Sequence, residues 1–223
     1  MPDEIEVNKD HTYYEDNNYR YSVQEGGKIL SLIRHANAAV TGGKVLTKDQ
    51  AVAVTEKMIK YISPEFNSSL YEVIVEQHDE EDTPWRIFHR LINEKGIIFG
   101  QFVTFIDRDG EVRMMSSDIY PEKLDDNSLQ KDNIVTEEQA ITIAYQALEN
   151  WAAEQVSTLN TEDKESHTVT ASQYYDPDHS SIPWIVKIKN VEKIINTQRV
   201  LHQSFLVTIN PKTGEILNFS PSR

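Results

Sequence analysis

The second half of this chain restates its first, and that duplication constrains the fold more than any single residue does. Leu46-Thr47-Lys48-Asp49-Gln50-Ala51-Val52 returns as Val135-Thr136-Glu137-Glu138-Gln139-Ala140-Ile141. Pro84-Trp85-Arg86-Ile87 returns as Pro183-Trp184-Ile185-Val186. Ile106-Asp107-Arg108-Asp109-Gly110-Glu111-Val112 returns as Ile209-Asn210-Pro211-Lys212-Thr213-Gly214-Glu215-Ile216. The three matches keep their order, which argues against chance. Repetition of this kind sets the architecture before any one motif is weighed. The repeated residues are caps, a tryptophan and turn formers, so they predict a scaffold rather than a reaction.

Each copy opens with a helix signal. Thr47 with Gln50, and Thr136 with Gln139, match the capping box, in which each side chain satisfies the other residue's free backbone donor. Ala51, Val54, Met58 and Ile62 then fall on one helical face of the first copy. Ala140, Ile143, Ala144, Ala147, Leu148 and Trp151 do the same in the second. Strand-like runs follow: 71–75, 85–92, 97–106 and 111–115, then 168–175, 184–189, 200–209 and 215–219. In the second of these, Trp85, Ile87 and Leu91 share one face, while Arg86, Phe88 and Arg90 share the other. Asn93-Glu94-Lys95-Gly96, Asp107-Arg108-Asp109-Gly110 and Pro211-Lys212-Thr213-Gly214 read as turns. A helix followed by a meander buries its apolar stripe on the sheet. The expected fold class is therefore α+β, as two tandem units over 46–119 and 134–223. Each is a helix packed on a curved antiparallel sheet of about four strands.

The flanking segments carry weaker patterns. Residues 1–45 are read as an N-terminal arm and a short helix. The arm, 1–27, is acidic and polar, with Tyr13, Tyr14, Tyr19 and Tyr21 scattered through it, and is expected to be a linker or to dock loosely. Ile29, Leu32, Ile33, Ala36 and Val40 recur at helical spacing before Gly42-Gly43, which predicts a helix over 28–40. Residues 120–133 are polar and aperiodic and read as the linker between units. The copies diverge most at 157–166, a polar loop expected to be a disordered insertion, and at 190–199, a longer excursion replacing a tight hairpin.

The bulk numbers exclude several classes. A net charge of −14, from 22 basic and 36 acidic residues, disfavours nucleic acid and anionic membrane surfaces as partners. The chain has no cysteine, which removes disulfides, thiolate catalysis and thiolate metal sites. No stretch approaches the roughly 18 apolar residues of a membrane span. Met1-Pro2-Asp3-Glu4 has neither the basic nor the apolar region of a signal peptide, so the chain is either cytoplasmic or preceded by an export signal.

A capped Thr-x-x-Gln-Ala helix, a Pro-Trp strand and a closing hairpin with Thr213-Gly214-Glu215 together resemble the PepSY domain. The second half carries the likeness best, over 135–148, 184–188 and 205–219. The first half is a divergent copy, with Asp109 where the family has Thr before Gly. Its 86–115 stretch also resembles the domain that precedes PepSY in thermolysin-type propeptides. The resemblance implies cystatin-like units, an extracytoplasmic bacterial setting and a non-catalytic role. That role would be to bind, restrain or stabilise a partner, with a peptidase as the expected partner class. It also favours an export signal upstream of residue 1. No His-Glu-x-x-His zinc motif occurs in the chain.

Chemical motifs are sparse. Asp107-Arg108-Asp109-Gly110 starts like a calcium loop, but position 118 is Asp and strand alternation resumes at Val112, so a hairpin turn is expected. His78-Asp79-Glu80-Glu81-Asp82 and Asp176-Pro177-Asp178-His179 are expected to be solvated loop tips. None of the seven histidines has a diagnostic Ser or Asp spacing, and His89 and His202 lie in strand runs that suit structural roles. No catalytic, cofactor-binding or metal residue is therefore assigned. Thr47, Gln50, Trp85, Gly110, Thr136, Gln139, Trp184, Thr213 and Gly214 are the structural motif. Both tryptophans are expected to fill the same gap between helix and sheet. The leading expectation is an extracytoplasmic protein that binds a protein partner. A small-ligand binder or enzyme using the concave sheet faces, and a structural cell-envelope module, stay open.

Overall fold

The computed structural model describes residues 3–7, 11–38, 47–77, 84–130, 133–154, 159–195 and 199–222. Among the described residues the protein is a mixed α+β chain of antiparallel sheets and two α-helices. It divides into two compact units, one of Met1–Asn93 with Phe99–Leu124, the other of Glu94–Ile98 with Asp125–Arg223.

The first unit holds strands β1 (Asp3–Val7), β2 (His11–Glu15), β3 (Tyr19–Gln24) and β4 (Ile29–Arg34), then helix α1 (Lys48–Ile62). Strands β5 (Tyr71–Gln77), β6 (Trp85–Ile92), β7 (Ile98–Ile106) and β8 (Val112–Ile119) complete it. They form one sheet in the order β1-β2-β3-β4-β8-β7-β6-β5. Helix α1 starts where the sequence signals it. Gln50 N donates to Thr47 Oγ1 over 3.2 Å, and Thr47 N donates to Gln50 Oε1 over 3.1 Å. Its face of Ala51, Thr55 and Ile59 is buried, and the strand β6 residues Trp85, Ile87, His89 and Leu91 are buried in strict alternation.

The sheet of the first unit has eight strands rather than about four, and this corrects the reading of residues 1–45. The segment expected to be a loose arm supplies β1, β2 and β3. The segment expected to be a helix over 28–40 supplies β4. The apolar residues at 29, 32 and 33 fit a 3.6-residue period, but burial in the fold follows the pleat: Leu32 is buried and Ile33 is 52% exposed. Gly26 and Gly27, with φ of +90° and +87°, turn β3 back into β4, and Leu32 then pairs with Met115 on β8. A flanking strand with two partners outweighs a weak helical period. Part of the predicted helix, from 39 onward, and the Gly42-Gly43 stop lie outside the described residues. Strand β8 also runs four residues past the predicted 115, because it pairs with β4 on one side and β7 on the other.

The second unit opens with helix α2 (Glu137–Glu154). Strands β9 (Leu159–Asn160), β10 (Thr168–Gln173), β11 (Trp184–Ile195), β12 (Arg199–Ile209) and β13 (Ile216–Ser222) follow. The sheet runs β10-β11-β12-β13, with β9 paired to β11. The α2 cap is again reciprocal: Gln139 N donates to Thr136 Oγ1 over 3.3 Å and Thr136 N donates to Gln139 Oε1 over 2.9 Å. The helix buries Ala140, Ala144 and Leu148 against Val186, Ile188, Phe205 and Val207. Trp151, Phe205 and Phe219 pack ring on ring at 5.3, 5.8 and 6.0 Å. Each such pair contributes about 0.5–1.5 kcal/mol beyond area burial. Loss of the N-cap oxygen in Thr136→Ala is expected to lower stability by about 1 kcal/mol in urea denaturation. An unchanged midpoint would contradict a working cap.

Two expected loops are more regular than the composition implied. Most of 190–199 continues the β11–β12 hairpin, past a bulge between Ile188 and Val191 where Asn190 takes φ of +62°. Within 157–166, Leu159–Asn160 is the short strand β9 and Lys164–Ser166 a 3-10 turn, so this part is ordered. Backbone pairing with β11 supplies the partners that a polar sequence does not reveal. The remaining residues of both loops, 157–158 and 196–198, lie outside the described residues. The 120–133 segment carries two 3-10 turns, Pro121–Lys123 and Asn127–Gln130, and the unit boundary falls between Leu124 and Asp125.

Candidate functional site

In the second unit the structure gathers several motif residues at one end of α2. Pro211 O accepts from Ile134 N (3.0 Å) and Val135 N (2.9 Å), which ties the Pro211–Gly214 turn to the start of the helix. Trp184 Nε1 donates to Val135 O over 2.9 Å. Asn210 Oδ1 accepts from Lys212 N, Thr213 Oγ1 accepts from Glu215 N, and Gly214 takes φ of +75°. The result is a shallow groove of about 480 Å³ lined by Ile134, Val135, Gln139, Ile143, Thr213 and Gly214, among others. Ile134 is 70% exposed.

The chain leaves this turn as β13, which with β10 is one of the two outer strands in the order β10-β11-β12-β13. Successive side chains of a strand point to opposite faces, so a strand covered on one face shows alternating exposure. Ile216, Leu217 and Asn218 are instead consecutively exposed, with Ile216 at 41% and Leu217 at 51%, because the register against β12 shifts there: Ile216 faces Ile209 and Asn218 faces Thr208, with Leu217 between them. Pro221 also sits in β13, as suits a strand with one side unpaired among the described residues.

The first-unit motif residues do not converge. Thr47 and Gln50 cap α1, Trp85 lies in the core, and Gly110 closes a turn with φ of +80°. In that turn Asp107 Oδ1 accepts from Asp109 N (3.0 Å) and Glu111 N (3.1 Å), and Arg34 Nη1 meets Asp107 Oδ2 at 2.9 Å. The two tryptophans therefore differ: Trp85 is buried apolar packing, whereas Trp184 is half-buried and hydrogen-bonded. The gap they were expected to share is filled differently in the two units.

Titratable groups are scattered. At the Asp176–His179 tip, Asp176 Oδ2 holds His179 Nδ1 at 2.8 Å, and this bond raises the exposed imidazole above its ordinary pKa. Tyr145 stacks on His167 at 5.8 Å. His89 is fully buried, and burial pushes its pKa from 6.5 down to about 4. Among the described residues no group of three or more His, Asp or Glu side chains is arranged to hold a metal ion. The 78–82 loop lies outside the described residues.

Sequence reasoning missed two cavities in the first unit. One, of about 610 Å³, is lined by Lys28, Ile62, Glu65, Phe102 and Tyr120, among others. The other, of about 410 Å³, lies among β3, α1 and the β7–β8 turn. The clustered tyrosines at 19 and 21 were the available signal, and only pairing of β3 into the sheet gives them a place.

No family model matches the chain, and no curated protein matches it. Among solved structures it is similar to a candidate lipoprotein from Clostridium difficile 630, at 13% identity and a TM-score of 0.22, over 82% of this chain and 97% of that one. Among the described residues, no helix is long and apolar enough to cross a membrane.

Proposed function

We propose that this is a non-catalytic, extracytoplasmic PepSY-type protein, built as two cystatin-like units, that binds a protein partner through the second unit. The partner class is a peptidase that the protein restrains or stabilises. The observation that carries partner binding is the start of β13, an edge strand of its sheet, where Ile216 and Leu217 are both exposed at a register shift. An outer strand offers a row of backbone donors and acceptors to an incoming strand, and apolar side chains such as Ile216 and Leu217 add to its hold. The repeated capping boxes and the Thr213-Gly214-Glu215 hairpin support the family reading.

The test is capture from an envelope fraction with immobilised wild type and with Leu217→Lys, followed by a peptidase assay on the eluate. A lysine on an edge strand opposes strand addition while leaving the core intact. Wild type is expected to retain a peptidase and change its activity, and L217K to lose it. If L217K captures the same peptidase equally well, the β13 reading fails. If no peptidase is retained or affected, the partner class is wrong.

A further inference from the structure

The geometry points to a binding site for an organic cation, an alkylammonium or guanidinium group, in the 410 Å³ cavity of the first unit. Strand β3 lines it with Tyr19 and Tyr21, whose rings are tilted at 53° with centroids 6.2 Å apart. Helix α1 lines it with Met58 and Tyr61. Two carboxylates, Asp16 and Glu111, also line it, with Lys57 the cation on the same wall as Met58 and Tyr61. Tyr61 is 70% exposed, so its side chain is open to a ligand arriving from solvent.

The residue types select the ligand. A tyrosine face attracts a cation through its quadrupole, and a soft thioether tolerates an apolar alkyl envelope around the charge. Aromatic rings beside carboxylates therefore suit an organic cation, whose charge sits on alkylated or guanidinium nitrogen. A compact metal ion would require converging oxygens, and the Asp16 oxygens are committed elsewhere. Asp16 Oδ1 accepts from Asn18 N and Tyr19 N, both at 2.7 Å, and Oδ2 accepts from the Tyr21 hydroxyl at 2.7 Å.

Burial alone would raise the Asp16 pKa, but those three donors, with His35 nearby, hold it below the ordinary range, so Asp16 remains an anion. The Tyr19 phenol is raised first by burial and next by Glu111, with Asp107 and Asp16 adding to it and Arg34 opposing. The potential at the tyrosines is thus net negative, and the −14 charge of the chain steers cations toward it. The volume accommodates a small ligand or one long side chain.

The site is lined by residues of the first unit alone, and its test is separate from that of β13. Choline, N-acetyl-lysine amide and N-acetyl-arginine amide would each be titrated into the full chain by NMR. The neutral choline isostere 3,3-dimethylbutanol is the control. At least one cation is expected to bind at roughly millimolar strength and shift the Tyr19 and Tyr61 ring signals, with the isostere far weaker. Binding of choline alone would assign a free small cation. Binding of the amino-acid amides would assign a basic side chain of a partner.

Tyr61→Ala is expected to weaken the bound cation by about fivefold, while Tyr61→Phe, which keeps the ring face, stays within about twofold. Tyr61 is largely exposed, so both variants are expected to fold. Equal binding of the neutral isostere, an unaffected Y61A, or no binding by any of the three cations would each overturn the proposal.

Discussion

Gly100→Ala is expected to cost about 4 kcal/mol of folding stability or to abolish cooperative unfolding altogether. Gly100 lies in β7 opposite Ile119 of β8, with φ of +108°, a region that side-chain-bearing residues rarely enter. A Cβ there would overlap the Asp118 carbonyl oxygen and sit 2.6 Å from Ile119 Cα. Both obstacles are backbone atoms, so no side chain can swing aside. The two strands would have to part at the point where Tyr120 N donates to Phe99 O and Lys28 Nζ donates to Ile119 O. Gly27→Ala separates the two causes. Gly27 also has positive φ, +87°, but a Cβ there meets nothing, so about 1 kcal/mol is expected. Urea denaturation of both variants decides it. If G100A unfolds at the same midpoint as G27A, the close approach of β7 and β8 is not what requires glycine.

Acidification from pH 6.5 to 4 is expected to remove about 3 kcal/mol through His89 alone. Neither ring nitrogen of His89 has a hydrogen-bond partner among the described residues. The Glu56 carboxylate approaches Nε2 only to 3.9 Å, beyond hydrogen-bonding range, so burial decides the pKa. In the unfolded chain the imidazole binds a proton below its ordinary 6.5; in the fold it resists until about 4. Between those values the unfolded state holds more protons, so stability falls as pH falls. Well above pH 6.5 both states are neutral and His89 contributes no slope.

Asp16 and Glu65, with lowered pKa values, begin to lose their contributions only as pH falls toward their ordinary 3.8 and 4.5, so they overlap the acid end of this window and His89 dominates the rest of it. His179, shifted upward and exposed, acts with the opposite sign above it. His89→Leu removes the titrating group and its two unpartnered nitrogens. Its stability at pH 7 is expected to match or exceed wild type, since an apolar replacement leaves no stranded polar atom. Its pH slope should flatten. An unchanged slope in H89L would place the acid sensitivity elsewhere.

Local chemistry was legible in the sequence. The Thr47–Gln50 and Thr136–Gln139 caps, the Asp107–Gly110 turn and the alternation of β6 all rest on atoms within a few residues of one another. Their energetics travel with the sequence. The β4 segment was not legible, because Ile29, Leu32 and Ile33 fall at helical spacing, and the strand rests on β3 and β8 as neighbours. The two tryptophans looked equivalent for the same reason: their flanking residues match, and only packing distinguishes the buried Trp85 from Trp184 on Val135 O. The 190–199 segment is read from sequence as a longer excursion replacing a tight hairpin, whereas backbone pairing carries the β11–β12 hairpin through most of it.

The sequence by itself determined the duplication, the helix starts, the main turns and the antiparallel α+β class, since each depends on short-range geometry and a repeating apolar period. Tertiary structure alone decided that the N-terminal residues extend the first sheet and that β13 is an outer strand with an exposed start. It also decided that Asp16, Tyr19, Met58, Tyr61 and Glu111 line one cavity. Those residues come from three separate stretches of the chain, and no local spacing records which distant segments a sheet will bring together. His89 shows the same division: its identity was visible, but its lowered pKa exists only because a helix and a sheet close over it.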